Sequence, residues 1–260
     1  MPRNVKFGLT PTPAAYAPWG VIGAISDNTP EADLHLQAYT KIGGNQNPTN
    51  SCVWWANAGA IHNVLRREGI ASFWCSVLGG YYVTRLRSAS GDRDRIVDFG
   101  CRPPDAAMVL LELGLIPDAK WPFIASQVDK EPDYGALVSS LPDWIRLKRI
   151  IAPEGRYGAA IRHTIHNLDR PVLIGQEVNQ PYVDWEPGDD PWSFTPPMEG
   201  RHMELVDSYN AKGPLTVSSW GDTFRRQLAW KQVESESVSE LWYPEIDRDK
   251  AIKMFLGDKR

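Results

Sequence analysis

Apolar positions at helical spacing first gather after residue 50. Val53, Ala56, Ala60, Ile61, Val64 and Leu65 share one face of a 3.6-residue period, and Gly69 stands where such a helix stops. Asn50 or Ser51 precedes the first turn and can cap it. A second helix is predicted after Pro103-Pro104-Asp105, running from Ala106 to Leu113 and ending at Gly114. A third covers Tyr157 to Leu168. The pattern then changes period. Pro171 to Val178 is an apolar run of strand length, and His202 to Tyr209 alternates. Leu215 to Ser219 follows across Asn210-Ala211-Lys212-Gly213, a turn signal. Helices therefore fill the first half and strands the second, which predicts an α+β fold with segregated halves. Residues 1–45, with Pro11, Pro13, Pro18 and Pro30, read as an extended arm on the surface of the body. Glu186 to Pro197 reads as a long loop.

Composition narrows the classes. A chain of 260 residues with 42% hydrophobic residues buries a large core as one domain or two tightly packed ones. No apolar run approaches the ~18 residues of a membrane helix. The first residues, Met1-Pro-Arg-Asn-Val-Lys-Phe-Gly8, hold no apolar signal segment. The expectation is a protein of the cytoplasm or of a virus particle, with no membrane partner. A net charge of −4 without Lys/Arg blocks argues against nucleic acid as partner. Cys52, Cys75 and Cys101 are an odd number and form no CxxC pair, so neither a disulfide framework nor structural zinc is expected. His163-x-x-His166 lacks a third ligand, and the acidic loop with Asp184, Glu186, Asp189 and Asp190 lacks the Gly-centred EF-hand pattern. No metal or cofactor is assigned.

The chemistry concentrates around Gln46-Asn-Pro-Thr-Asn-Ser-Cys52. A cysteine in the first turn of a helix lies in the positive end of the macrodipole, which favours the nucleophilic thiolate. The amide of Gln46, six residues earlier in a polar loop, and the Cys52 backbone N–H can form a two-donor oxyanion hole. A thiolate nucleophile needs a base within reach. Of the five histidines, His202 is best placed, opening a predicted strand after a loop. His62 lies too far along the Cys52 helix, His163 and His166 fall on a predicted surface helix, and His35 lies in the arm.

These residues resemble the papain-like cysteine peptidases. Gln46 and Cys52 match the family's Gln, five residues, Cys motif, and Arg201-His202-Met-Glu-Leu-Val-Asp-Ser-Tyr209 resembles its histidine strand. Val217-Ser218-Ser219-Trp220-Gly221 resembles its Asn-Ser-Trp-Gly segment, and Ala106 to Phe123 its helix, glycine and aromatic-Pro stretch. The likeness spans roughly residues 40–225 and points to bacterial or phage-type members without a long propeptide. It implies a two-part fold: helices over about 46–168 pack on antiparallel strands over about 169–260, with a cleft between. It implies Cys52 as nucleophile, His202 as general base and then acid, Gln46 as oxyanion donor, and Trp220 as a shield of the histidine and part of the substrate site. The position of the family's orienting Asn is Ser218, and that of the Gly before the histidine is Arg201, which could crowd the cleft.

The resulting expectation is hydrolysis of peptide bonds in a peptide or protein substrate. The alternative is a papain fold kept as a structural or binding protein, weakly active or inactive, in a phage particle or secretion assembly, with the arm docking on a neighbouring subunit. Cell-wall peptides are a third substrate class. The arm is short for an inhibitory prodomain, so no zymogen processing is expected.

Overall fold

The computed structural model describes residues 6–10, 25, 28–71, 73–133 and 144–256. Three helices precede the sheet: α1 (Cys52–Arg67), α2 (Val77–Ser88) and α3 (Pro103–Leu113). Helix α1 is buried on nearly every side, with the small residues Ala56, Ala58, Gly59 and Ala60 at its middle. At Gly59 a Cβ would already lie 3.2 Å from Leu205, so the glycine sets how closely α1 approaches the sheet. The predicted cap is absent. Ser51 occupies the N-cap position without capping. Its Oγ pairs with Thr49 Oγ1 at 2.7 Å, and Asn50 is tied through its side chain and its backbone N–H to Asp98. Helix α3 starts at Pro103 and stops before Gly114, whose φ of +75° ends it.

The sheet has six strands: β1 (Ile145–Ile150), β2 (Val172–Val178), β3 (Gly200–Asn210), β4 (Gly213–Val217), β5 (Arg226–Gln227) and β6 (Val238–Ile246). Their order is β1-β6-β2-β3-β4-β5, and every pairing is antiparallel. Thus the α+β expectation holds. β1 joins the sheet from within the span read as helical. The turn at Asn210–Gly213 is as predicted, with Asn210 Oδ1 accepting from the N–H groups of Lys212 and Gly213. Helices α4 (Tyr157–His166), α5 (Gln180–Val183), α6 (Trp230–Val233) and α7 (Arg248–Leu256) complete the described elements.

Both faces of the sheet are covered. Leu173, Met203, Leu205 and Trp242 pack into a core shared with α1, α2 and α3. Val172, Ile174, Val206 and Leu241 pack into a second core with α4. Successive residues of a strand face opposite ways, so the alternation of Met203 and Leu205 with Val206 puts His202 and Glu204 on the face away from α1. No helix among the described residues is long and apolar enough to cross a membrane.

Candidate active site

Cys52 is the first residue of α1, as the sequence predicts. Its thiol is fully buried and reaches the edge of β3, where the backbone N–H groups of Met203, Gly8 and Val53 point at the sulfur. The site therefore joins the helical half to the strand half through the residue next to His202. Gln46 is held beside it. Its N–H donates to Ser219 O at 2.7 Å, and its side-chain Oε1 accepts from Ser219 Oγ at 2.5 Å. Its side-chain Nε2 donates to Thr49 O in its own loop at 3.1 Å, which leaves one donor for the cleft. Trp220 lies flat on His202, with ring centroids 4.0 Å apart and planes 23° from parallel.

The cleft is filled by the chain's own beginning. Lys6 O accepts from Gln46 Nε2 at 2.9 Å and from Trp220 Nε1 at 3.3 Å. Phe7 packs edge-on to Trp220, with centroids 5.9 Å apart. Gly8 N–H points at the Cys52 sulfur, and Gly8 O accepts from Cys101 N at 2.9 Å. Leu9 N donates to Arg201 O at 3.3 Å, and Thr10 N to Cys101 O at 3.1 Å. An extended peptide thus bonds to both walls at once, Cys101 on the helical side and Arg201 on the sheet side. Gly8 fits only as glycine, because a Cβ there would stand 1.7 Å from Asn50 O. Within residues 6–10, Gly8 and Leu9 are buried between the two walls and not on the outer surface, Phe7 is half-buried, and Lys6 and Thr10 stay exposed. Pro11, Pro13 and Pro18 fall outside the described residues. The Arg201 side chain does not crowd the cleft; it turns to Glu177 on β2 at 2.8 Å.

Burial decides the charge state. It pushes the Cys52 thiol up to about 12, against the backbone donors that favour thiolate. The depressed thiol expected from the helix terminus is therefore not what this closed form displays, because desolvation outweighs the helix end. His202 is held well below the ordinary range, first by burial and then by the Arg226 guanidinium. Neither ring nitrogen of His202 has a hydrogen-bond partner. Cys52 and His202 are thus both buried and uncharged, and neither His202 nitrogen bonds the thiol.

Ser218 does not take the orienting role expected of it. Its Oγ donates to Asp222, which also receives the Arg226 guanidinium. The group that does approach the ring is Glu204, whose Oε1 lies 3.8 Å from His202 Nε2. Glu204 was not singled out from the sequence, although its place two residues after His202 on an alternating strand puts both on one face. The other residues that sequence reasoning passed over are Lys6 to Leu9, which carry no periodicity to mark them. Cys75 and Cys101 are free, buried thiols, as expected. Among the described residues no cluster of three or more His, Cys, Asp or Glu side chains could hold a metal ion.

No family model matches this chain, and no curated protein sequence does. Solved structures do. Xylellain, a cysteine protease from Xylella fastidiosa, matches with a TM-score of 0.67 at 17% identity, over 95% of this chain and 98% of that one. The ragweed pollen allergen Amb a 11, a cysteine protease in its proform, matches with a TM-score of 0.66 at 14% identity, over 86% and 69%. The recombinant stem bromelain precursor matches at 0.64 and 12% identity, over 88% and 76%. The fold is that of the papain-like cysteine proteases.

Proposed function

We propose that this chain is a papain-type cysteine peptidase held closed by its own residues 6–10. The observation that carries the reading is the convergence of the Gln46 amide and the Cys52 sulfur on one extended peptide, bonded to both walls of the cleft. A groove that holds Lys6–Thr10 by main-chain hydrogen bonds is suited to peptide substrates in general.

When the arm leaves, water reaches Cys52 and His202, and the desolvation that keeps both neutral is relieved. The helix end and the backbone donors then favour thiolate. His202 takes the thiol proton, and the Cys52 sulfur attacks a substrate carbonyl carbon. Gln46 Nε2 and the Cys52 N–H hold the developing oxyanion. The imidazolium gives its proton to the leaving amine, and a water activated by His202 releases the acyl group. Trp220, flat against the imidazole, keeps solvent from that side of the ring.

The arm itself is a blocker and not a poised substrate. The carbonyl that occupies the Gln46 donor belongs to Lys6, while the group facing the sulfur is the N–H of Gly8. No single peptide bond presents its carbonyl to both. This reading revises the expectation that the arm is too short to inhibit. Two of the structural neighbours, Amb a 11 in its proform and the bromelain precursor, are themselves precursor forms.

The test is labelling of the intact protein with a trace of an epoxysuccinyl affinity reagent, followed by peptide mass spectrometry. The expected result is a single adduct on Cys52, absent in His202→Ala and faster when Phe7→Ala loosens the arm. Equal slow labelling of Cys52, Cys75 and Cys101 in all three proteins would overturn the reading. It would favour the alternative of a papain fold kept for structure or binding.

A further inference from the structure

We propose that Glu204 is the positioning residue for His202, its carboxylate accepting the Nε2–H from two places further along the same strand. This rests on the peptidase reading above, in which His202 must present its other nitrogen, Nδ1, to the thiol. A base held in one tautomer and one orientation needs a partner on the far nitrogen.

Three observations meet at this pair. Glu204 Oε1 and His202 Nε2 lie 3.8 Å apart. Both atoms are buried, and neither has any hydrogen-bond partner. Buried polar atoms are normally paired, and a closure of about 1 Å would satisfy both with one bond of ordinary length. Glu204 is also anchored from behind: its second oxygen accepts from Tyr182 OH, and that hydroxyl is 3.0 Å from Thr216 Oγ1. The carboxylate can therefore tilt toward the ring without being free to leave. Ser218, the residue at the expected position, is committed to Asp222.

The charges facing the pair are few. Arg226 on β5 is buried against both, and its guanidinium also bonds Asp222 and the backbone oxygens of Tyr182 and Val183. Asp222 stands in the turn after β4, Tyr182 on α5, and Cys52 on α1. Arg226 opposes a charged imidazole. Burial raises the Glu204 carboxyl, while Arg226 and the hydroxyls of Tyr182 and Thr216 act in the other direction. A Glu204 carboxylate on Nε2 supplies the negative charge that an imidazolium at this place requires.

The experiment is the pH dependence of Cys52 alkylation by chloroacetamide in the intact chain. It compares wild type, Glu204→Gln and Ser218→Ala, each with its arm in place and each checked for folding by thermal melting. Glu204→Gln should lower the rate at pH 7 about tenfold and move the alkaline limb of the profile down by about one pH unit. Ser218→Ala should move neither. A Glu204→Gln profile that superimposes on wild type, or the shift appearing in Ser218→Ala instead, would overturn the proposal. If Glu204→Gln does not fold, Glu204→Asp takes its place, keeping the charge but shortening the reach. A rate unchanged from wild type then counts against the proposal.

The ring is also read directly by 15N NMR of His202 in the intact chain. The expectation is the Nε2–H tautomer, with the Nε2 signal displaced in the Glu204 variant. The same signal in both proteins would overturn the proposal whichever way the labelling falls. Wild-type labelling that ignores His202→Ala would instead remove the peptidase reading, so the two failures are distinct.

Discussion

The two walls of the cleft are built on different principles. The Cys52 wall is mostly local: a loop and a helix start place the thiol and, six residues upstream, Gln46, with Ser219 tying Gln46 in from the far wall. The His202 wall is assembled from afar. Its histidine sits on β3, its stacking partner after β4, its nearest carboxylate on its own strand, and the cation behind them on β5. A wall made of neighbours in sequence tolerates change by keeping its motif. One made of distant residues can exchange parts, and the proposed role of Glu204, beside a Ser218 bonded to Asp222, would be such an exchange.

The sharpest way to break the comparison is at Arg226. Its side chain is 1% exposed and paired with Asp222, so Arg226→Met removes the cation from a buried carboxylate that Ser218 Oγ still bonds. The expected loss is about 3–5 kcal/mol of stability, read by chemical denaturation. The exposed pair of Arg87 with Glu112 on the helical side is the control, at about 0.5 kcal/mol for Arg87→Ala. Equal losses at the two sites would erase the contrast between the walls.

Next comes the base. His202→Ala should slow alkylation of Cys52 at neutral pH by about 100-fold or more, the usual scale for losing a general base. The arm follows. Gly8→Val meets the Asn50 backbone, which cannot move aside as a side chain can. It should destabilise the closed form by about 1–3 kcal/mol, raising the Cys52 labelling rate about tenfold. A valine variant that labels as slowly as wild type would mean that the arm does not gate the thiol.

The smallest effect lies outside the cleft, where the base of the arm is clamped to α4. His35 bonds Asp33 and Asp169, and His166 reaches Asp33 at 2.7 Å. Burial disfavours charge on His35, but the two carboxylates outweigh it and hold the ring above its ordinary 6.5. Burial likewise works on Asp33, but bonds from His35 and His166 leave its carboxyl below 3.8. The raised His35 stabilises fully below pH 6.5 and fades as pH rises through its folded value. The lowered Asp33 stabilises above 3.8 and fades as pH falls through its own. The melting temperature of His35→Gln should therefore fall short of wild type by more at pH 5 than at pH 9. A constant difference would show that the clamp is not ionic.

Legibility in the sequence follows the same division. Helix α1, helix α3 and the β3–β4 hairpin could be read because their signals are local. Helix α2 could not. Its Gly79-Gly80 pair suggests a turn, yet a Cβ at Gly80 would stand 2.3 Å from the Trp54 ring, so the glycine answers a tertiary contact. Strand β6, paired on both sides in the sheet, was hidden by Ser239, Glu240 and Pro244, which break its alternation. In the site, Gln46, Cys52, His202 and Trp220 stood out as a motif. Glu204 did not, because only the structure shows that Ser218 is engaged elsewhere. Segment 6–10 carried no signal: main-chain bonds leave no sequence pattern, and Phe7 and Leu9, the apolar side chains it does pack, are too few to set a period.

Under the proposed function the blocking peptide is part of the same molecule, and this has a consequence for every binding measurement. A tethered segment competes as if present at an effective concentration of order millimolar, whatever the protein concentration in the tube. A ligand added from outside sees only the fraction of molecules that are open, so its apparent dissociation constant exceeds the intrinsic one by the inverse of that fraction. Dilution will not relieve the block. Affinities measured on the whole chain will therefore rank ligands correctly while understating each by one common factor, fixed by the opening equilibrium of five residues.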